Sequence, residues 1–281
     1  MPMQQALHIM QILKLVAVSC LMLALPLGTR AGEVDTSDCA SSTPAAATVT
    51  VAAAADLKFA MDDLVVQFAK PHPTITVTVT YGSSGNFFSQ LSNGAPFDLF
   101  LSADADFPRQ LAAAGHTLPD SEFLYAVGRI VLWVPQASPL DVQRHGMGAL
   151  KDPSVRHIAI ANPRHAPYGR AAEAAMRSLG VYDDVKAKLV FGENVAQTAQ
   201  FVQSGAADAG IIALALAMAP AMQQAGKYWD VPLDAYPRMD QGGVIMKAAR
   251  DPAAARALRE FVLSPTGRTT LKRHGFALLG E

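Results

Sequence analysis

Runs of alternating apolar and polar residues follow one another along most of the chain, with segments of helical spacing between them. The run 47–55, ATVTVAAAA, alternates and is rich in β-branched residues, which predicts a strand. In the next segment, 56–70, apolar residues recur three and four positions apart, which predicts an amphipathic helix. The run 74–81, TITVTVTY, predicts a second strand because the alternation is strict.

The alternation of strand and helix patterns continues to the end of the chain. Further strands are predicted at 97–104, 156–163, 188–194, 208–217 and 242–249, the run 208–217 being able to continue into a helix. The run 125–135 is long and strongly apolar. Further helices are predicted at 87–94, 106–115, 168–180, 195–205, 252–264 and 266–275. Such alternation is typical of an α/β fold, in which helices cover both faces of a mainly parallel sheet. The chain is long enough for two lobes of this kind.

The N-terminal segment has the pattern of a secretory signal. Lys14 precedes the apolar run 15–27, LVAVSCLMLALPL, and the small residues of 28–32 follow it. This run is short for a membrane span, and Pro26 lies near its end. We therefore expect residues 1–31 to be a cleaved signal peptide, with an uncleaved anchor as the alternative.

The residues around the expected cleavage site bear on anchoring and on disulfides. The sequence AVSC, which ends at Cys20, is a weak lipobox because Ala17 stands where leucine is usual, so lipid anchoring is not expected. Cleavage near Ala31 leaves Cys39 as the single cysteine, which can form no internal disulfide. Residues 32–46 are predicted to form a flexible leader of small and polar residues.

The composition and net charge of the chain limit the kinds of partner that it can bind. Hydrophobic residues make up 51% of the chain and charged residues 17%, which is typical of packed cores and not of disorder. Removing residues 1–31, which carry Lys14 and Arg30 and no acidic residue, changes the net charge from -1 to -3. A weakly acidic chain without basic runs lacks the clustered Lys and Arg that phosphate backbones require, so no nucleic-acid partner is expected.

Four segments between a predicted strand and the following helix are rich in small and polar residues. They are AAAADL at 52–57, YGSSGN at 81–86, NPRHAPYG at 162–169 and GENV at 192–195. Ligands of open parallel sheets gather beyond the carboxyl ends of the strands, where helix N-termini present unpaired N–H groups and a partial positive charge. An anion can bind there without Lys or Arg. The four turns therefore predict an anion site.

Two of these turns contain groups suited to an anion. The glycines of YGSSGN allow backbone N–H groups to point toward a ligand, and Ser83 and Ser84 add hydroxyl donors. In the third turn, Pro167 suits the first turn of a helix, and His165 lies in the same loop. The predicted donors are neutral, so the site needs no basic patch.

Enzyme motifs are absent from the sequence. YGSSGN is not the nucleophile motif G-x-S-x-G because Asn86 occupies the last glycine position, and no H-E-x-x-H, C-x-x-C or phosphate-binding loop is present. Asp98 is interpreted as a strand carboxylate with satisfied hydrogen bonds, and Asp104 as a helix N-cap. A serine hydrolase that uses Ser83 or Ser84 stays open, provided that a histidine lies within hydrogen-bond reach.

Five stretches together carry a family resemblance. They are VAAAADLKFAM, YGSSGNFFSQLSNGAPFDLFLSAD, YAVGRIVLW, NPRHAPYGRAA and LKRHGFALL. In this order, over residues 47–279, the chain resembles the periplasmic molybdate-binding proteins, which are the substrate-binding components of molybdate ABC importers. The resemblance implies a type II periplasmic-binding fold, with two α/β lobes joined by two crossover strands and a ligand cleft between the lobes.

The resemblance also implies an activity and its partners. Lobe 1 is expected to comprise residues 47–128 and 238–281, and lobe 2 residues 129–237. The protein is expected to bind a tetrahedral oxyanion through neutral hydrogen-bond donors. Molybdate is the expected ligand, and tungstate is the next candidate. It performs no chemistry and needs no cofactor or direct metal ligand. It delivers the anion to a molybdate ABC permease in the inner membrane, and a periplasmic monomer is the family expectation.

The family's ligand positions carry over one at a time onto this sequence. The implied ligand residues are Ala55, Asp56, Ser83, Ser84, Tyr168 and Val195. The first two belong to the first turn and the serines to the second. Tyr168 and Val195, in the third and fourth turns, would donate backbone N–H groups. Ala213 stands where some relatives use a tyrosine, so that contact is absent here.

Asp56 departs from the family pattern, because relatives tend to carry Ser or Asn there. An ionised carboxylate only accepts hydrogen bonds, and two like charges about 4 Å apart cost roughly 4 kcal/mol at an effective dielectric of about 20. One hypothesis is that Asp56 turns away and caps the helix 57–70, leaving its backbone N–H for the ligand. A second is that Asp56 stays protonated and donates. A third is that the ligand is not molybdate.

Other ligand classes stay open at this point. One alternative is a receptor for another anion, such as sulfate, phosphate or a small organic acid. A carboxylate ligand would favour an arginine in the site, for which Arg164 and Arg170 are the candidates. A signalling module that binds the ligand and then docks a sensor is a further alternative.

Overall fold

The computed structural model describes residues 46–280. The predicted signal peptide 1–31, its lipobox at Cys20 and the leader up to residue 45 lie outside the described residues. Over residues 46–280, no helix combines the length and the apolar character needed to cross a membrane.

Strands and helices alternate along the described residues, which confirms the α/β prediction. The strands are β1 Ala47–Ala54, β2 Ile75–Gly82, β3 Leu99–Ser102, β4 Phe123–Gly128, β5 Ile130–Pro135, β6 Ile158–Ala161, β7 Leu189–Gly192, β8 Ala209–Ala213, β9 Gly226–Asp230 and β10 Met239–Ile245. The α-helices are α1 Lys58–Phe68, α2 Ser84–Ser92, α3 Asp106–Ala113, α4 Val142–His145, α5 Pro167–Ser178, α6 Tyr182–Val185, α7 Val195–Gln203, α8 Leu214–Ala217, α9 Pro220–Ala225, α10 Pro252–Leu263 and α11 Pro265–Arg273. Short 3-10 helices lie at Ala55–Leu57, Gly146–Lys151, Lys186–Lys188 and Leu233–Ala235.

The strands form two five-stranded sheets built on one plan. The first sheet has the order β2-β1-β3-β10-β4, and the second has the order β7-β6-β8-β5-β9. In the first sheet β1 runs parallel to β2 and β3, whereas β10 runs antiparallel to β3 and β4. In the second sheet β6 runs parallel to β7 and β8, whereas β5 runs antiparallel to β8 and β9. Each sheet with its helices forms one lobe, lobe 1 around the first sheet and lobe 2 around the second.

The chain crosses between the lobes twice. Strand β4 ends at Gly128 in the first sheet and β5 begins at Ile130 in the second, so Arg129 alone lies between them. The chain returns between β9 and β10. The apolar run 125–135 is therefore divided between two strands of different sheets. Apolar pattern shows that a segment is buried, but not which sheet buries it.

Each lobe buries the apolar faces of its sheet under helices. In lobe 1, Val49 and Val51 of β1 belong to a buried cluster with Leu64 and Phe68 of α1. In lobe 2, Trp133 of β5 is fully buried. Burial of this apolar surface is the main force that stabilises each lobe. It also holds the strand ends in place, so the turns beyond them keep fixed positions.

Two local differences from the sequence-based prediction have clear causes. Helix α2 begins at Ser84 and not at residue 87, because Ser83 acts as its N-cap and accepts a hydrogen bond from the Asn86 N–H at 3.4 Å. Strand β9 was not predicted, and it acquires its place by pairing antiparallel with β5. Its Tyr228 and Trp229 pack against the lobe 2 core.

Candidate anion-binding site

All four turns singled out in the sequence contribute to the wall of one small cavity between the lobes. The residues expected to bind the ligand all line it and are Ala55, Asp56, Ser83, Ser84, Tyr168 and Val195. The cavity has a volume of about 10 Å³. Such a volume is close to the minimum that holds one water molecule. The structure thus brings the six residues together, and their binding of an anion stays a prediction.

Three helices begin at this cavity. Ser83 is the N-cap of α2, Pro167 occupies the first turn of α5, and Asn194 is the N-cap of α7. The side-chain oxygen of Asn194 accepts from the two N–H groups that follow Val195, both at 3.0 Å. The cap therefore does not use the N–H of Val195 itself. Free N–H groups at helix N-termini stabilise an anion through the partial positive charge of the helix end.

Both serine hydroxyls in the cavity are buried and already accept hydrogen bonds. Ser84 Oγ accepts from the Ala103 N–H at 2.9 Å. Ser83 Oγ accepts from the Asn86 N–H and lies 2.9 Å from His165 Nδ1. A hydroxyl has one hydrogen to donate and two lone pairs. Each serine can therefore give its hydrogen to an anion, Ser83 when His165 donates from Nδ1.

His165 reaches from lobe 2 to the first turn of α2 in lobe 1. Its carbonyl oxygen accepts from the Gly85 N–H at 2.9 Å. A Cβ atom on Gly85 would lie 2.5 Å from that oxygen, so this approach requires a glycine. His165 Nε2 lies 4.0 Å from Glu193 Oε2, and Glu193 also accepts a hydrogen bond from Asn86 of lobe 1. These polar contacts join the two lobes beside the cavity.

A second polar contact between the lobes is made by Asp104. Ala105 precedes α3 and makes no side-chain cap bond, whereas Asp104 Oδ1 accepts from the N–H of Asp106, the first residue of α3, at 2.9 Å, in line with the expected capping role. Asp104 Oδ2 pairs with Arg170 of α5 in lobe 2. Neither Arg170 nor Arg164 lines the cavity, and no other Lys or Arg within residues 46–280 does so. The described residues also hold no cluster of three His, Cys, Asp or Glu side chains that could bind a metal ion.

Asp56 is buried in the cavity wall, with 1% of its surface exposed. Its Oδ2 accepts hydrogen bonds from Tyr168 Oη at 2.8 Å and from Gln241 Nε2 at 2.6 Å. The hypothesis that Asp56 caps the following helix is wrong, because α1 begins after the N-cap Leu57 and has no side-chain cap bond. Burial raises the pKa of the Asp56 carboxyl, and the hydrogen bonds from Gln241 and Tyr168 act in the opposite direction.

Gln241 is a polar residue of this site that was not predicted from the sequence. It lies on β10 in lobe 1, is fully buried, and bonds to both Asp56 and Tyr168. Gly128 at the end of β4 makes room for this group, since a Cβ there would lie 2.6 Å from Tyr168 Oη and 2.9 Å from Gln241 Nε2. A polar side chain inside the apolar strand pattern of DQGGVIM is the sequence signal that points to such a buried role.

A family model described as bacterial extracellular solute-binding protein matches residues 49–277. The chain belongs to this family. The match includes both sheets and every residue that lines the cavity.

Individual relatives agree with this assignment. The chain is 40% identical over 235 residues to the molybdate-binding protein ModA of Azotobacter vinelandii, a match that covers 83% of the chain and 91% of that protein. It is 37% identical over 201 residues to ModA of Rhodobacter capsulatus, covering 72% of the chain and 77% of that protein. The solved structure of the periplasmic molybdate-binding protein of Azotobacter vinelandii matches with a TM-score of 0.77 at 34% identity, covering 82% of this chain and 99% of that chain. These matches confirm the resemblance carried by the motifs and the type II periplasmic-binding fold.

The relatives are binding proteins, and this chain is a solute-binding protein and not an enzyme. The distance of 2.9 Å between Ser83 Oγ and His165 Nδ1 does meet the geometric condition set for a serine hydrolase. The two residues come from different lobes, however, and Ser83 sits at a helix N-cap without the G-x-S-x-G turn. The contact is one of the polar contacts that join the two lobes.

Proposed function

We propose that the protein captures molybdate in the periplasm, with tungstate as a second ligand, and delivers it to a molybdate ABC permease. The observation that carries this proposal is the meeting of neutral donors from four turns in one cavity, which no Lys or Arg of the described part of the chain lines. The choice of anion is supported by the molybdate-binding relatives at 40% and 37% identity.

The proposed binding chemistry uses only hydrogen bonds from neutral groups. The hydroxyls of Ser83 and Ser84 and the backbone N–H groups of Ala55, Tyr168 and Val195 would surround the oxyanion. These donors come from both lobes, so an anion between them favours the closed state over the open one. A ligand shifts such an equilibrium only through its differential affinity for the two states, and the two crossovers between the lobes are the natural hinge.

The proposal also includes the removal of the signal peptide and the limits of the two lobes. Residues 1–31 direct export and are removed, and the leader 32–46 follows. Lobe 1 comprises 47–128 and 238–281, and lobe 2 comprises 129–237. The exported protein works as a periplasmic monomer, in line with a family described as extracellular and a solved relative described as periplasmic.

A small organic acid is the less favoured ligand. A carboxylate would draw on an arginine, and the two candidates Arg164 and Arg170 lie outside the cavity wall. Sulfate and phosphate share the tetrahedral shape of molybdate and differ from it in size, so direct competition separates them.

Isothermal titration of the exported, anion-stripped protein with molybdate, tungstate, sulfate and phosphate tests the proposal. We expect one-to-one binding of molybdate and tungstate, with sulfate and phosphate much weaker. The variant Ser84→Ala should lose roughly tenfold in molybdate affinity, because a donor disappears and the Ala103 N–H loses its acceptor. The matched control Ser89→Ala, exposed on the same helix, should bind like the parent. If sulfate or phosphate binds and molybdate does not, the natural ligand is another oxyanion. If no anion binds at all, the proposal is overturned.

A further inference from the structure

We propose that Asp56 binds the anion as a neutral carboxylic acid that donates a hydrogen bond from Oδ1, so that anion binding takes up a proton. The inference rests on the proposed oxyanion-binding function and adds a donor to it. Asp56 is 1% exposed and lines the cavity. Its Oδ1 is buried and has no partner in regular hydrogen-bond geometry among residues 46–280, and the nearby backbone N–H groups of Asp56 and Leu57 act to lower the pKa of the carboxyl. A buried polar atom without a partner is costly, so it indicates a missing partner in the cavity.

The hydrogen bonds to the other oxygen decide where a proton would sit. Oδ2 already accepts from two donors, Tyr168 Oη at 2.8 Å and Gln241 Nε2 at 2.6 Å. A carboxylic acid carries its hydrogen on one oxygen and can accept on the other. With Oδ2 occupied by two donors, the hydrogen belongs on Oδ1, where an oxygen of the bound anion provides the acceptor. An ionised Asp56 would instead present a bare negative oxygen to a negative ligand.

No cationic side chain in residues 46–280 hydrogen-bonds to Asp56 or pairs with it. In lobe 2, α5 carries Tyr168, whose phenol contacts Asp56, and Arg170, which pairs with Asp104 and not with Asp56. Helices α7 and α8 carry no ionisable side chain. From lobe 1, β4 brings the phenol of Tyr125. A negative charge at Asp56 therefore has hydrogen bonds to stabilise it but no ion pair.

The other ionisable side chains of lobe 1 on the elements next to Asp56 form hydrogen bonds or ion pairs with groups other than Asp56. Asp240, the residue before Gln241 on β10, pairs with Arg238 at 2.7 Å. The ionisable groups of α1 and β2 have partners of their own and are Lys58, Asp62, Asp63 and Tyr81. None of these groups has a hydrogen bond or an ion pair with Asp56.

Closure of the lobes links the proton to the anion. Asp56 and Gln241 belong to lobe 1, whereas Tyr168 covers them from lobe 2, so opening exposes the carboxyl to water. In the closed state, burial raises the pKa of Asp56 above its usual 3.8, against the opposing effect of the hydrogen bonds from Gln241 and Tyr168. The closed state then binds more protons than the open state. Closure and anion binding are therefore favoured as pH falls and weaken as pH rises from the open-state toward the closed-state pKa.

The experiment is titration of the exported protein with molybdate in buffers of different ionisation enthalpy, which reports the protons taken up per anion. For the parent protein we expect uptake approaching about one proton at pH values between the open-state and closed-state pKa of Asp56. Molybdate affinity should fall by up to roughly tenfold per pH unit in the same range. In Asp56→Asn, the amide N–H replaces the acid O–H as donor. This variant should bind molybdate without proton uptake and with an affinity that does not vary with pH.

The matched control is Asp104→Asn, which removes another carboxylate that reaches across the cleft but is paired with Arg170. It should keep the proton uptake of the parent. Proton uptake that persists in Asp56→Asn would put the proton on the anion or elsewhere and would overturn the inference. Binding by the parent without proton uptake would overturn it as well. If no oxyanion binds to the parent or to either variant at any pH, the proposed function itself fails, and the inference fails with it.

Discussion

At the scale of single residues, the Ser83 hydroxyl can serve an anion only if its protein neighbours leave its hydrogen free. It accepts from the Asn86 N–H at 3.4 Å and lies 2.9 Å from His165 Nδ1. If His165 donates from Nδ1, both lone pairs of Ser83 Oγ are used and its hydrogen points to the cavity. We therefore predict that His165 is a positioning residue for a donor in the other lobe.

The variant His165→Ala should weaken molybdate binding by roughly tenfold, because one hydrogen bond that orients Ser83 is lost. His165→Asn should recover part of the affinity, since an amide can donate to the same hydroxyl. His145→Ala, which changes an exposed histidine at the end of α4, serves as the control and should bind normally. Isothermal titration measures all three variants, and parental affinity in His165→Ala would contradict the positioning role.

At the scale of elements, β3 is tied to its neighbours by a buried carboxylate just before its first residue. Asp98 Oδ2 accepts from the N–H and the hydroxyl of Thr50 in β1 at 2.6 and 2.7 Å, and Oδ1 accepts from the Arg250 N–H at 2.8 Å. Burial acts to raise the pKa of Asp98, but the hydrogen bonds from Thr50 and Arg250 outweigh it and hold the pKa below its usual value. The expectation of a satisfied carboxylate at this position is confirmed.

Asp98→Asn should lower the free energy of unfolding by about 1–3 kcal/mol near neutral pH, because acceptors for buried donors are lost. The folded-state pKa of Asp98 is lowered, so its contribution is present above the unfolded pKa and is lost as pH falls through the folded pKa. The difference between parent and variant should therefore narrow in acid. Urea unfolding at about pH 7 and about pH 3 measures it.

The control for this prediction is Asp106→Asn, which removes an exposed ion pair with Arg109 on α3. Its effect on the free energy of unfolding should stay within about 1 kcal/mol. A difference between the parent and Asp98→Asn that is the same in acid and at neutral pH would contradict the role of the Asp98 carboxylate.

At the scale of the whole molecule, polar contacts close the cleft around the cavity. They join Asp56 to Tyr168, Ser83 to His165, Asn86 to Glu193, and Asp104 to Arg170. Water can replace each of these hydrogen bonds when the lobes separate, so each contributes little net free energy. A bound anion that bridges both lobes can then decide the balance between open and closed states.

Gly85→Ala should disfavour closure, since the added Cβ would lie 2.5 Å from the His165 carbonyl oxygen of the other lobe. Molybdate affinity should fall by more than roughly tenfold, while the anion-free protein unfolds at nearly the parental temperature. Titration, together with small-angle scattering at saturating molybdate, checks both lobe closure and affinity. The control Gly148→Ala adds a Cβ with no atom within 4 Å and should change neither quantity. Normal closure of Gly85→Ala would show that this contact does not limit the closed state.

The variant Arg170→Ala tests whether Arg170 only forms an ion pair between the lobes or also binds the anion directly. The pair with Asp104 is solvent-accessible, with 41% and 27% of the two side chains exposed. Its loss should therefore lower molybdate affinity by no more than about fivefold, and less at high salt. A loss of several hundredfold would instead make Arg170 a direct ligand and favour a carboxylate as the natural solute.

Much of the fold could be predicted because the signals for it are local. Periodic burial identified β1, β2 and the helices after them, and small residues marked the turns at the strand ends. Parallel strands of one sheet end at the same edge, so turns such as 52–57 and 81–86 were bound to meet. The six candidate residues came from the family resemblance placed on these turns. Strand β9 was not predicted, because a short run such as 226–230 does not specify which strand it joins.

The sequence therefore settled the α/β class, the family and the positions of the four turns, because each depends on neighbours a few residues apart. Tertiary structure alone supplied the partners of the side chains in the cleft. Gln241 bonds to Asp56 from 185 positions away, and Tyr168 bonds to it from 112 positions away on the other lobe. The pattern of a segment records which of its faces is buried, but not which distant group buries it. The environment that raises the pKa of Asp56 exists only after both lobes have folded and closed.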